Sequence, residues 1–220
     1  MKPKLIPRSY SLGRTRSLYK GMVWHYDLCC QLTESQTQLR ALELIDLAKD
    51  AKVLDVAVGT GYILRELADL VSEGTVVAVD VSEHMLQVAS DKSKDLENVH
   101  LHYASAYSLP YPDNTFDALI NTYMMGFIPE QDFPKILAEF KRVLKPGGRL
   151  GVSALTHPKH WYNQGWTYVA KWFPAILGDC RPVELVPPVL AAGFKVTFDE
   201  FRSQSTYPSE LVIAQKVEAD

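Results

Sequence analysis

Apolar and polar positions along the chain follow two alternating patterns. Short, nearly continuous apolar runs are separated by segments in which apolar residues recur every three or four positions. The runs predict β-strands, and the periodic segments predict amphipathic α-helices. The predicted strands cover residues 53–56, 76–79, 99–103, 116–122, 149–154, 194–198 and 211–214. The predicted helices cover about residues 33–49, 61–71, 130–144 and 185–192, and one more begins after Ser82.

Strands and helices alternate through most of the chain, which favours a mostly parallel sheet with right-handed crossovers and helices on both faces. No helical pattern separates the last two strands, so they should pair in antiparallel fashion. At the start of the first helix, Thr33 and Gln36 have the spacing of a capping box. Near residue 145, Lys145-Pro146-Gly147-Gly148 should end a helix and turn the chain into the fifth strand.

The first strand carries the most informative motif. Val53-Leu54-Asp55-Val56-Ala57-Val58 runs into Gly59-Thr60-Gly61, and a helical pattern follows at once. A tight turn between a strand and a helix leaves backbone N–H groups pointing at a ligand. The next apolar run ends in Asp80, whose carboxylate can accept hydrogen bonds from both hydroxyls of a ribose. The two features together predict a nucleoside-binding site.

The motif leaves two kinds of nucleoside cofactor open. The dinucleotide fingerprint usually has a third glycine, although alanine or larger residues can occur there, and this chain has Leu64 at that position. An NAD-linked reductase is therefore the less favoured alternative. A glycine turn that only reverses the chain is a further alternative, and Asp80 at the expected spacing argues against it.

Downstream segments carry a family resemblance. Leu109-Pro110-Tyr111-Pro112-Asp113-Asn114-Thr115-Phe116-Asp117 precedes the fourth strand, and Val143-Leu144-Lys145-Pro146-Gly147-Gly148-Arg149-Leu150 precedes the fifth. With the two earlier motifs, in this order, they make the chain resemble the class I S-adenosylmethionine-dependent methyltransferases. The branch it is most similar to contains the ubiquinone- and menaquinone-biosynthesis enzymes and many small-molecule methyltransferases. The resemblance covers roughly residues 35–155.

The resemblance implies a Rossmann-like, doubly wound α/β fold. Its sheet has seven strands in the order 3-2-1-4-5-7-6, with strand 7 antiparallel. It also implies S-adenosylmethionine as the cofactor and a set of residues around it. The expected cofactor-binding residues are Tyr26, Asp55, Gly59, Thr60, Gly61, Asp80, Val81, Met85, Ser105, Ala106 and Asn121.

Each of these residues has an implied role. The glycines approach the methionine part of the cofactor, and Asp55 interacts with its ammonium group. Asp80 binds the ribose, while Val81 and Met85 flank the adenine. Tyr26 forms a Tyr-Asp pair before the first helix, and the resemblance implies that it closes over the cofactor. A tyrosine that only packs against the domain is an equally good interpretation.

The adenine-binding position departs from the family. Related enzymes usually have aspartate where this chain has Ser105. A serine oxygen can still accept a hydrogen bond, and the backbone N–H of Ala106 can serve adenine N1. Asn121, after the fourth strand, should face the methyl-donor side of the cofactor; a strand-end turn residue is the alternative interpretation.

An aromatic insert at about residues 156–180 follows the fifth strand, at the edge where open α/β sheets bind ligands. It predicts either a pocket or lid for an apolar or aromatic acceptor, or a helix whose aromatic residues pack on the domain. His157 and His160 in this insert are the candidate general bases. Methyl transfer to oxygen or carbon of a small molecule is the favoured activity, and a noncatalytic cofactor-binding module is a further alternative.

Composition limits the remaining classes. The chain has 220 residues, a net charge of −3 and 3 cysteines without a C-x-x-C pair, so we expect no nucleic-acid partner, no metal site and a reducing compartment. No apolar run is long enough to span a membrane.

Residues 1–32 are predicted to be an N-terminal arm or lid, and residues 33–220 the cofactor-binding domain. We expect a cytoplasmic protein, although the basic, acid-free residues 1–26 also suit a mitochondrial targeting segment. The oligomeric state is left open.

Overall fold

The structure, a computed structural model, describes residues 23–172 and 180–217. Its centre is a seven-stranded sheet in the order β3-β2-β1-β4-β5-β7-β6. The strands are β1 (Lys52–Val56), β2 (Thr75–Asp80), β3 (Val99–Tyr103), β4 (Phe116–Thr122), β5 (Leu144–Leu155), β6 (Phe194–Gln204) and β7 (Tyr207–Lys216).

Helices cover both faces of this sheet. The described α-helices are α1 (Val23–Thr33), α2 (Ser35–Leu44), α3 (Leu64–Leu70), α4 (Glu83–Ser93), α5 (Phe133–Val143), α6 (Gln164–Trp172) and α7 (Val186–Ala191). Short 3₁₀ turns occupy Met125–Phe127, Glu130–Asp132 and Trp161–Asn163. Among the described helices, none is long and apolar enough to cross a membrane.

Strand pairing confirms the predicted fold class. β1 pairs in parallel with β2 and β4, β2 with β3, and β4 with β5. β7 runs antiparallel to both β5 and β6. The carboxyl ends of β1 to β5 and the amino end of β7 therefore meet at one edge of the sheet. Open α/β sheets bind their ligands at this edge, which we call the carboxyl edge.

The central strands are buried on both faces, which explains why they read as continuous apolar runs. Leu54 and Val77 belong to a core with α5 residues such as Phe140. Their neighbours Val53 and Val76 face the opposite core, formed with α3 and α4. Because successive side chains of a strand point to opposite faces, each apolar run supplies both cores.

The predicted first helix, residues 33–49, is wrong in its limits and its cap. Helix α1 continues through Thr33, and the chain breaks at Glu34 before α2. The Thr33 hydroxyl donates to the Cys29 carbonyl at 2.7 Å instead of capping a helix. Serine and threonine make this back-bond inside helices, so a spacing of Thr and Gln alone does not identify a helix start. The predicted boundary between arm and domain at residue 33 stays a prediction.

The last two strands are longer than predicted and form a tight hairpin. Ser205 and Thr206 both adopt positive φ angles, 48° and 65°. A two-residue turn of this kind normally shows Gly or Asn, and neither is present, so the sequence did not indicate it. β5 also begins earlier than predicted, at Leu144, with a register shift opposite Phe116 and Ala118.

Candidate cofactor and acceptor sites at the carboxyl edge

A tight turn joins β1 to α3 at the carboxyl edge. Gly59 and Gly61 have positive φ angles of 56° and 74°, a region that favours glycine. A Cβ atom on Gly61 would lie 2.8 Å from Cδ1 of Leu64 and 3.2 Å from Cβ of Ala89. The turn therefore presses against α3 and α4, and a side chain at position 61 would have to displace them.

Asp80 connects this turn to the start of α4. Its Oδ2 accepts a hydrogen bond from the Gly59 N–H at 2.9 Å, and its Oδ1 accepts one from the Ser82 N–H at 2.8 Å. Burial raises the pKa of the Asp80 carboxyl, while the backbone donors act in the opposite direction. Each carboxylate oxygen keeps a further lone pair for a ligand hydroxyl. Ser82 caps α4 as predicted, because its hydroxyl accepts from the Met85 N–H.

Asp55 lies at the same edge and is almost completely buried. Its pKa is raised to about 7, first by burial and then by the negative charge of Asp80. No lysine or arginine in residues 23–172 or 180–217 forms an ion pair with either carboxylate. Two buried acids without a counter-ion favour a positively charged ligand between or beside them.

Asn121 completes this part of the site from β4. Its Nδ2 donates to the Val56 carbonyl at 2.8 Å, which fixes the orientation of the side chain. Its Oδ1 is buried and has no hydrogen-bond partner among the described residues. A buried acceptor without a partner costs free energy, so this oxygen is suited to a donor group of a ligand, such as an ammonium.

The predicted adenine-side residues lie along the same edge. Met85 and Ala106 are buried, whereas Val81 and Ser105 are partly exposed. Ser105 follows Ala104, whose N–H donates to the Asp80 carbonyl at 3.1 Å. The Ser105 hydroxyl accepts from the Tyr107 N–H at 3.3 Å and so stabilises its own turn.

Helix α1 is tied to the glycine turn through a residue outside the predicted site. The Thr60 hydroxyl donates to Oδ1 of Asp27 at 2.6 Å, and Lys92 on α4 forms an ion pair with Oδ2 of the same carboxylate at 2.5 Å. The only sequence signal for Asp27 was its place beside Tyr26. The backbone of Tyr26 lies in α1, but its side chain lies outside the described part of the structure.

The two candidate histidines differ in position. His157 follows the end of β5 at the carboxyl edge and is partly buried. His160 is exposed and caps a 3₁₀ turn. Its ring stacks on Tyr162 at 5.1 Å between centroids and meets the edge of Phe201 on β6 at 5.6 Å. These contacts give His160 a packing role on the outer strand.

The aromatic insert both packs on the domain and exposes aromatic surface. Trp166 meets the ring of Tyr207 edge-on at 5.0 Å between centroids, and its indole N–H donates to the Thr206 hydroxyl at 3.0 Å. Trp161 and Trp172 are 82% and 66% exposed. Residues 173–179 of the insert lie outside the described residues.

Comparison with known proteins supports the fold and shows which family the chain is similar to. Residues 53–148 match the model of a methyltransferase domain. Over this segment the chain is similar to the class I S-adenosylmethionine-dependent methyltransferases. This similarity was expected from the four motifs, and the sheet order is the one that the resemblance implied.

Two bacterial proteins are similar in sequence to part of this chain. The ubiquinone/menaquinone biosynthesis C-methyltransferase UbiE of Teredinibacter turnerae is 41% identical over 123 residues, 54% of this chain and 49% of that protein. The demethylmenaquinone methyltransferase of Listeria welshimeri is 36% identical over 140 residues, 60% of this chain and 58% of that protein. The chain thus spans about half the length of the curated relatives it matches.

A solved structure of a similar fold covers more of the chain. The putative methyltransferase bound to the Trm112 activator in Haloferax volcanii superposes with a TM-score of 0.76, covering 94% of this chain and 99% of that one. The two sequences are 18% identical, so this likeness concerns the fold. No cluster of metal-ligating side chains occurs in the part of the methyltransferase domain that the structure describes.

Proposed function

We propose that this protein transfers a methyl group from S-adenosylmethionine to a small phenolic or quinol ring, with ring carbon as the preferred acceptor atom. The observation that carries the cofactor half is the buried pair Asp55 and Asp80, which has no ion-pair partner among the described residues and lies beside a positive-φ glycine turn. The acceptor half is supported by the names of the two relatives. One is a C-methyltransferase of ubiquinone/menaquinone biosynthesis, and the other is a demethylmenaquinone methyltransferase.

The residues at the carboxyl edge fit this cofactor. Asp80 accepts the ribose hydroxyls with its remaining lone pairs, and the glycine turn lies against the methionine part. Asp55 and the free Oδ1 of Asn121 receive the cationic amino-acid end. The adenine lies among Val81, Met85, Ser105 and Ala106.

The bound cofactor supplies a methyl group that its sulfonium charge activates toward nucleophiles. The protein has to hold the acceptor in line with the methyl carbon and sulfur, exclude water and accept one proton. Alignment of this kind can lower the barrier by roughly 7–11 kcal/mol. A ring carbon next to a phenol oxygen is nucleophilic only when the ring is electron-rich, which is why a reduced quinol is a better acceptor than a quinone.

Titration calorimetry tests the cofactor half. S-adenosylmethionine and S-adenosylhomocysteine should both bind, and Asp80→Asn should weaken both. The exposed Asp50, replaced by Asn, is the matched control and should leave both affinities unchanged. Heat from NADH with none from S-adenosylmethionine would instead support the reductase alternative and refute the proposal.

Transfer is tested with 1,4-dihydroxynaphthalene under anaerobic conditions and cofactor labelled in its methyl group. A C-methylated product keeps both hydroxyls and can be oxidised to a quinone, whereas an O-methylated product cannot. Oxidation after the reaction therefore separates the two atoms. Absence of label in both products, with the cofactor bound, would support a noncatalytic module.

A further inference from the structure

A group of polar and aromatic side chains lies at the carboxyl edge beyond the cofactor site. We call Glu34, Tyr123, Tyr207 and Ser209 the acceptor-edge cluster. Tyr123 follows the end of β4, two residues beyond Asn121. Tyr207 and Ser209 lie at the start of β7, where Ser209 pairs with Leu155 at the end of β5. Glu34 reaches the cluster from the junction of α1 and α2.

Helix α1 sets the distance between this cluster and the cofactor turn. Asp27 on α1 binds Thr60 in the turn, and Glu34 follows seven residues later, at the end of the same helix. At 1.5 Å per residue the backbone positions of Asp27 and Glu34 are about 10 Å apart along the helix axis.

Among the described residues, Glu34 accepts hydrogen bonds only from two distant donors and one weak S–H donor. Its Oε1 accepts from the Tyr207 hydroxyl at 3.4 Å, and its Oε2 accepts from Cys30 Sγ at 3.4 Å and from Gln38 Nε2 at 3.5 Å. By contrast, the hydroxyls of Tyr123 and Ser209 are 2.7 Å apart. The Glu34 carboxylate is therefore poorly satisfied by the protein and can bind a better donor, such as a phenol hydroxyl.

The environment of Glu34 favours proton exchange near neutral pH. Burial raises its pKa to about 7, and the hydrogen bonds from Cys30 and Tyr207 oppose this only in part. Tyr123 and Cys180 are further ionisable groups near Glu34 in the described part of the chain. Burial and then the Glu34 charge raise the pKa of both. A base with a pKa close to the working pH is efficient in general acid–base catalysis.

Backbone strain and aromatic packing also mark this cluster as a site. Tyr123 is buried and has a φ angle of +57°, a conformation that non-glycine residues rarely adopt and that often occurs at functional positions. Its ring lies 6.2 Å from that of Tyr207, which in turn contacts Trp166 of the aromatic insert. The cluster thus joins a carboxylate to a wall of aromatic rings.

We propose that the acceptor-edge cluster binds the phenolic ring of the acceptor and that Glu34 is the general base of the transfer. The inference rests on the proposed function. The acceptor O–H bond breaks, and its proton moves to a Glu34 carboxylate oxygen. The released electron pair, on oxygen or through the ring on carbon, forms the bond to the methyl carbon. The electron pair of the methyl–sulfur bond stays on sulfur, and for carbon methylation the ring proton then restores the hydroxyl.

The test compares Glu34→Gln with Glu43→Gln, an exposed glutamate on the same helical segment as the control. Turnover of 1,4-dihydroxynaphthalene should fall about 10²- to 10⁴-fold in Glu34→Gln, with unchanged cofactor affinity and unchanged turnover in Glu43→Gln. Wild-type kcat should rise with pH through about 7. Tyr207→Phe removes a hydrogen bond that lowers the Glu34 pKa, so it should move this profile to higher pH.

Each outcome decides the inference. Glu34→Gln with wild-type turnover, or a pH profile that does not move in Tyr207→Phe, would overturn it. Cofactor binding without binding or methylation of the naphthalenediol by the wild-type protein would also overturn it, because the inference commits to a phenolic acceptor. Loss of cofactor binding in the wild-type protein would instead refute the proposed function itself. Glu34→Gln should fold, since glutamine has nearly the same size and keeps an oxygen that can accept from the Tyr207 hydroxyl.

Discussion

Replacement of Asp55 by Asn should stabilise the protein without cofactor and weaken cofactor binding. Asp55 is a buried acid whose pKa is raised to about 7, first by burial and second by the charge of Asp80. Asparagine has nearly the same shape and carries no charge. The substitution therefore removes the unfavourable charge while it leaves the packing of β1 in place.

The size of the effect follows from the pKa shift. A carboxyl whose pKa is higher in the folded protein favours folding when it is protonated. That contribution is fully present below the unfolded value, near 3.8, and is lost as pH rises through about 7. A shift of about three units corresponds to about 4 kcal/mol. Asp55→Asn should thus differ little from wild type at pH 4 and be up to about 4 kcal/mol more stable at pH 8.

Urea unfolding between pH 4 and pH 8 measures this difference directly. Glu34 and Glu210 also have raised pKa values, so they contribute to the pH dependence of stability in both proteins. The difference between variant and wild type cancels these contributions and reports on Asp55. The exposed Asp50, replaced by Asn, is the control. A stability difference for Asp55→Asn that does not change with pH would refute the assignment of the raised pKa to this residue.

The second part of this prediction is that Asp55→Asn weakens cofactor binding. A cation that binds beside Asp55 favours its ionised form, so binding near pH 6 should release protons. Calorimetry in buffers of different ionisation enthalpy counts these protons, and Asp55→Asn should release fewer and bind more weakly. Equal proton release in both proteins would show that the cofactor charge does not contact Asp55.

Three further substitutions test the carboxyl edge, and Gly165→Ala is the control for the glycine among them. Asp80→Asn should lower cofactor affinity about 10-fold or more, the value of one charge-assisted hydrogen bond, as measured by calorimetry. Gly61→Ala should destabilise the protein by about 1–3 kcal/mol in thermal unfolding, because of its positive φ and the contact with Leu64. Gly165→Ala meets no atom within 4 Å and lies in α6, so it should be neutral or slightly stabilising. Thr60→Val removes the hydrogen bond to Asp27, so amide exchange in α1 should become faster while the rest of the domain is unchanged.

The parts of the fold that were predicted correctly are those that local patterns specify. Parallel strands buried on both faces need continuous apolar runs, so β1, β2 and β4 were visible in the sequence. The turn of Gly59 to Gly61 was equally visible, because its conformation requires glycine. The hairpin at Ser205 and Thr206 was missed, since nothing local requires those two residues to adopt positive φ.

The acceptor side could not be predicted in the same way, because its chemistry depends on contacts between distant residues. Glu34 reads as an ordinary polar residue beside a predicted capping box, and only the break between α1 and α2 brings it to Tyr207. His157 and His160 were conspicuous in the sequence because histidine titrates near neutral pH. In the fold, His160 packs on β6 and a glutamate has acquired a pKa near 7 by burial. The type of a residue indicates a general base only when the environment leaves the pKa of its side chain unchanged. Here the candidate base is Glu34, whose pKa is raised by tertiary packing.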